Sequence, residues 1–193
     1  GVSVIVENLS GWNLVGLPAE VEDASWSAVY PSAVSGTLYE FSGSYVNVDA
    51  LIPGNGYWLN FPDAGSTTIT GTPISSLTVS LTAGWNLISG ISEAIDVNGI
   101  SDPDGIIVQG TVYGFTGSYT NASVLTPGQG YWINANAAGD ITISSGGAAK
   151  TIAAFTDRTK EGNMLSFNGS DLYFGISISE EYMLSYQLPP KPP

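Results

Sequence analysis

From Leu77 to Thr82 the chain alternates apolar and polar residues, LTVSLT, and a closely similar run, VSVIVE from Val2, opens it. A period of two sends successive side chains to opposite faces, so each run predicts a half-buried strand. The alternation returns in LYEFSGSY from Leu38 and in VYGFTGSY from Val112, with Gly43 and Gly117 as turn or bulge positions. Val, Ile, Thr, Tyr and Trp recur in short runs between turn residues, which predicts an all-β chain without long helices. With 193 residues, 43% of them hydrophobic, there is material for one substantial domain or two small ones.

Comparison of the chain with itself shows a duplication. SGWNLVG from Ser10 returns as AGWNLIS from Ala83, with Trp12 and Trp85 at 73 positions' separation. GTLYEFSGSY from Gly36 returns as GTVYGFTGSY from Gly110, and PGNGYWLN from Pro53 as PGQGYWIN from Pro127, both at an offset of 74. The one-residue slip falls in the variable stretch, ASWSAVYPSAVS in one copy and VNGISDPDGIIVQ in the other. In each PGxGYW motif Pro presets φ and the first Gly tolerates a positive φ, which predicts a type II turn running directly into a strand.

The expected organisation is a first β-repeat over residues 1–73, a second over 74–147, and a C-terminal β segment with a polyproline tail over 148–193. At ~74 residues a unit can just bury its own core, so two barrel-like or sandwich-like repeats in tandem are the first expectation. One pseudo-symmetric unit whose copies exchange strands is the alternative. ISSGGAAKTIAA, around Gly146 and Gly147, is the expected junction. Beyond it, LSFNGSDLYFGISI predicts two strands around an Asn-Gly-Ser turn, and YMLSYQLPPKPP a last strand entering a polyproline II tail.

The succession GWNL, a Phe-Ser/Thr-Gly-Ser-Tyr strand and PGxGYW, over about residues 3 to 145, resembles the tandem GWN/GYW repeats of large bacterial secreted and surface proteins. LYFGISISEEYMLSYQLPPKPP is similar to the β segment ahead of a type IX secretion sorting domain. The resemblance implies an extracellular or cell-surface setting and a piece of a longer chain, and it carries no catalytic residues over.

Charge narrows the partners. Residues 1–149 hold twelve acids and no Lys or Arg, so nucleic acid and anionic membranes are poor partners, and no run is long and apolar enough to span a bilayer. Cys and His are both absent, which removes thiol nucleophiles, Cys/His zinc sites and His-based relays. Carboxylates remain: Glu20, Glu22, Asp23, Glu40, Asp49, Glu93, Asp96, Asp102 and Asp104. Nothing in their spacing selects a glycosidase-type pair, and Glu40 aligns with Gly114, so solvated surface acids are the simpler reading. DVNGISDPDG gathers Asp96, Asn98, Asp102 and Asp104 as candidate calcium ligands, though an ordinary Asx-turn loop accounts for the same residues and no other cofactor is suggested.

The aromatics divide between structure and binding. Strand alternation sends Tyr57 and Trp58, and likewise Tyr131 and Trp132, to opposite faces. Together with Trp12, Trp85, Pro53, Gly54, Gly56, Pro127, Gly128 and Gly130 they read as the folding hub of each repeat, because repeated Trp supplies the apolar mass a small β domain needs. Tyr45 and Tyr119 at the turns, with Trp26 and Tyr30, are the candidate ligand-stacking residues. The expected function is a non-catalytic structural or adhesive module that associates with itself, as in a sheath or fibre, or with other domains of its parent chain. A polysaccharide-binding module is the alternative.

Overall fold

A computed structural model describes residues 1–146, 156–167 and 170–193. The first repeat comprises β1 (Val2–Asn8), β2 (Gly11–Gly16), β3 (Ala19–Glu20), a short helix α1 (Trp26–Val29), β4 (Tyr39–Phe41), β5 (Tyr45–Asn47), β6 (Gly56–Phe61) and β7 (Gly65–Pro73). The second has β8 (Ser76–Leu81), β9 (Gly84–Ser89), β10 (Ile95–Asp96), β11 (Tyr113–Phe115), β12 (Tyr119–Asn121), β13 (Val124–Leu125), β14 (Gly130–Ala135) and β15 (Gly139–Ser144). A hairpin of β16 (Asn163–Phe167) and β17 (Ser170–Phe174) and a helical turn α2 (Glu180–Met183) follow. The fold is all-β, its sheets are antiparallel, and among the described residues none closes into a barrel.

Each repeat packs a ribbon on a four-stranded sheet. In the first, β1 pairs with β7 and the sheet order is β2-β6-β4-β5; in the second, β8 pairs with β15 and the order is β9-β14-β11-β12. Period-two alternation directs Val6 and Ile69 from the ribbon, and Val15, Tyr57, Leu59 and Phe61 from the sheet, into one core. Val79, Leu81, Ile141 and Ile143 meet Ile88, Tyr131 and Ile133 in the other.

The PGxGYW motifs form the turns their residues dictate. Asn55 N–H donates to Ile52 C=O with Gly54 at φ 87°, and Gln129 N–H donates to Thr126 C=O with Gly128 at φ 80°, the positive φ that the third position of a type II turn requires. The strand-side tyrosine then fastens the turn, since Ile52 N–H donates to the Tyr57 hydroxyl and Thr126 N–H to that of Tyr131.

The two repeats are joined through these turns. Gly16 N–H donates to Gly128 C=O and Ser89 N–H to Gly54 C=O, and single bridges link Val15 to Gln129 and Asn55 to Ile88. The bonds are pairwise equivalent, as a pseudo-twofold relation demands. Among the described residues the repeats meet through these edge bridges, and no strand of one is laddered into a sheet of the other. The physical reason lies in β6 and β14. Both of their faces are apolar, and each repeat's own ribbon covers only one.

The C-terminal segment departs from expectation in one place. The stretch expected as a last strand is helical instead, forming α2 and a 3-10 turn over Leu184–Tyr186, before Gln187 returns to extended backbone. The expected junction at Gly147 and the Asn168–Gly169 turn lie outside the described residues.

Candidate functional site

Between the two sheets lies a third apolar layer made by the outward faces of the hub strands. Trp12, Leu14, Phe41, Tyr45 and Trp58 from the first repeat meet Trp85, Leu87, Phe115, Tyr119 and Trp132 from the second. Trp58 sits edge-on to Phe115 at 4.9 Å, and Trp132 edge-on to Phe41 at the same distance, the geometry in which a positive ring edge meets a negative ring face. Trp58 and Trp132 are both fully buried.

Two turns bring the rim of this layer to the surface. In FSGSY and FTGSY, Gly43 and Gly117 take φ of 81° and 90°, which closes the loops and sets Tyr45 opposite Phe41 and Tyr119 opposite Phe115 in register. The ring pairs are 5.3 Å apart in both copies. Each tyrosine is half-buried with its hydroxyl at the edge of the layer. Tyr45 donates to Lys191 C=O at 2.5 Å, and Tyr119 donates to Pro190 C=O. The proline-rich tail therefore crosses both repeats at their equivalent tyrosines.

The electrostatics of the rim follow from that burial. Desolvation raises both hydroxyls above the usual tyrosine range, and Tyr45 raises Tyr119 further because two phenolates would repel one another. The Trp58 and Trp132 indoles lie fully buried in the layer beneath this rim. Neither Nε1 has a partner within hydrogen-bond distance. Among the described residues, the Pro190 and Lys191 carbonyls of the tail accept from the two hydroxyls alone.

The remaining candidates fall elsewhere. Tyr30 is not available for stacking: its ring is buried in the first core against Phe61, and its hydroxyl donates to Gly16 C=O at 2.7 Å and Gly128 C=O at 3.3 Å, because a buried phenol must find acceptors. Trp26 is half-buried against the same core. Trp12 and Trp85 are half-buried in the shared layer. Gly56 and Gly130 lie at the crossing, where a β-carbon would stand 2.4 Å from Ile88 O and 2.7 Å from Val15 O. Pro53 and Pro127 hold the second position of the type II turns.

The acidic loop is occupied by its own backbone. Asp96 accepts from Asn98 N–H at 2.8 Å, and Asp102 accepts from Ile106 and Ile107 N–H at 3.0 and 2.8 Å. Asp104 is exposed. Among the described residues no three acidic side chains gather to hold a metal ion. Nor is any helix among them long and apolar enough to cross a membrane.

Two clefts flank the crossing in equivalent positions. The larger, about 770 Å³, is lined by Asn8, Asn13, Phe115, Thr120 and Gln129 among others, and the smaller, about 230 Å³, by Phe41, Asn55, Val79 and Asn86. Asn13 clamps the GWN turn, accepting from Leu9 N–H and donating to Leu9 and Gly11 C=O, and Asn86 does the same for Thr82 and Gly84. Motif reading did not assign this role to Asn, nor to Phe41 and Phe115 their part in the layer. The recurrence of GWN and of FSGSY/FTGSY was the available signal. No family model, curated protein or solved structure matches the chain.

Proposed function

We propose that the chain is a non-catalytic, extracellular structural or adhesive module of a larger secreted or cell-surface protein. The observation that carries this reading is the shared aromatic layer, which spends the chain's largest side chains on fixing two repeats to each other. A rigid two-repeat body suits a spacer or an assembly unit. The reading also takes up the resemblance to GWN/GYW repeats and the absence of Cys and His.

Self-association is supported by the β16–β17 hairpin, which leaves Leu165, Leu172 and Phe174 more than half exposed on one face. A lone two-stranded hairpin is marginal in water, so a partner for that face stabilises it. The partner is a second copy. Residues 150–193 carry five acids and four cations, so two copies meet there without the mutual repulsion of the twelve acids elsewhere. Light scattering over a wide concentration range tests this. Association that Leu165→Ser with Leu172→Ser abolishes is expected, and a strict monomer at every concentration counts against it.

The alternative, polysaccharide binding, is favoured by the larger cleft, where Asn, Thr and Gln side chains surround the Phe115 ring. A glycan array decides it, and no retention of any polysaccharide removes it.

A further inference from the structure

Two hydroxyls, one from each repeat, donate to consecutive carbonyls of one proline-rich stretch, Tyr119 to Pro190 and Tyr45 to Lys191. Four of residues 188–193 are proline. Proline has no N–H to give, so these four residues cannot donate to a sheet ladder and offer only carbonyls. The residues that precede prolines are held to β or polyproline II backbone, and Gln187 enters the stretch at φ −80°, ψ 136°, close to polyproline II. Prolines are the residues that pack. Pro189 is buried and Pro190 and Pro192 are half-buried, whereas Leu188 is 67% exposed and Lys191 is exposed.

We infer that the Tyr45–Tyr119 rim is a binding site for proline-rich peptides in polyproline II form, and that the chain's own tail is its resident ligand. The rim supplies donors and rings, and the ligand supplies acceptors and proline rings. This is the complementarity by which an aromatic-lined groove takes a stiff, pre-extended segment at low entropic cost. The rings beneath the hydroxyls are the independent sign: Phe41 and Phe115 pair with Tyr45 and Tyr119 at 5.3 Å and pack on Trp132 and Trp58 at 4.9 Å, so the rim is lined with aromatic faces and the indoles report on it. The ligand's lysine also suits a host with no cation over residues 1–149. A tethered tail sees the site at high effective concentration, so a free peptide competes only once the tail is displaced.

The test uses the full chain with Pro189→Gly, Pro190→Gly, Pro192→Gly and Pro193→Gly, labelled with nitrogen-15. Relative to the unsubstituted chain, the Trp58 and Trp132 indole signals and the Tyr45 and Tyr119 amides are expected to shift. Titrating the synthetic peptide QLPPKPP should move the same signals back, saturably, whereas QLGGKGG should not. Adding Tyr45→Phe and Tyr119→Phe keeps both rings and removes both hydroxyls, and binding should weaken by roughly tenfold or more. An unchanged spectrum on tail substitution, equal responses to the two peptides, or full affinity in the phenylalanine variant would each overturn the assignment. A dispersed spectrum of every variant establishes that it is folded.

Discussion

Trp58 of the first repeat packs edge-on against Phe115 of the second, with ring centroids 4.9 Å apart and planes at 81°. Trp132 and Phe41 reciprocate at 4.9 Å and 77°. Neither repeat can bury its own hub tryptophan without the other. The repeats should therefore unfold together, in one transition seen alike by tryptophan fluorescence and by far-ultraviolet circular dichroism. Trp58→Ala or Trp132→Ala should cost about 3–5 kcal/mol, measured by urea denaturation. Two separated transitions in the unsubstituted chain would contradict the shared layer.

The glycines at the crossing make a sharper test. A β-carbon at Gly56 would sit 2.4 Å from Ile88 O, and one at Gly130 2.7 Å from Val15 O, in both cases against backbone that cannot swing aside. Gly43 and Gly117 carry positive φ but have open space around them. Gly43→Ala and Gly117→Ala should thus cost only the left-handed strain of about 1–2 kcal/mol. Gly56→Ala and Gly130→Ala should cost more than about 3 kcal/mol or prevent folding. Urea midpoints of the four variants rank them, and equal losses would refute the close approach.

Much of this was legible in the sequence because local rules and the fold agree. Alternation located β1 and β8, Pro-Gly located the turns before β6 and β14, and the duplication announced equivalent parts. What period two could not decide was what covers the second face of a strand that is apolar on both sides. Trp58 and Tyr57 point to opposite faces whether the partner is a ribbon of the same repeat or the sheet of the other. The segment YMLSYQ misled for a related reason, since its apolar residues suit a strand as well as a helical turn and nothing nearby breaks the tie. Tyr30 was unreadable because its acceptors include Gly128, 98 positions away.

The GWN motif yields a prediction at its third residue. Asn13 is buried and makes three hydrogen bonds at 2.8–3.0 Å, accepting one from Leu9 N–H and donating two to Leu9 and Gly11 C=O. Asn13→Ala should cost about 0.5–1.5 kcal/mol, the net worth of part-buried hydrogen bonds whose backbone partners can turn to water. Asn13→Asp keeps the acceptor but sets a carboxylate against two carbonyls, so it should be no better than Ala. Faster hydrogen exchange at the Leu9 amide in both variants localises the effect, and unchanged exchange would deny the clamp.

Alkaline pH should expose the buried phenols. Tyr30, Tyr45, Tyr57, Tyr113 and Tyr119 all have hydroxyls raised above the usual tyrosine value, with burial the largest cause in each. A raised folded-state pKa means the folded chain keeps protons that the unfolded chain releases. The stability these groups contribute is accordingly complete below the unfolded value of about 10 and is lost as pH climbs through the folded values. Without His, nothing of that kind titrates near neutrality. Urea midpoints should stay level from about pH 7 to about pH 9 and fall beyond about pH 10. In an ultraviolet titration of tyrosinate, these five of the ten tyrosines should ionise late, and Tyr119→Phe should remove one of the late group. If all ten ionise in a single step near the ordinary value while the chain is still folded, the rim and core hydroxyls are not buried as described.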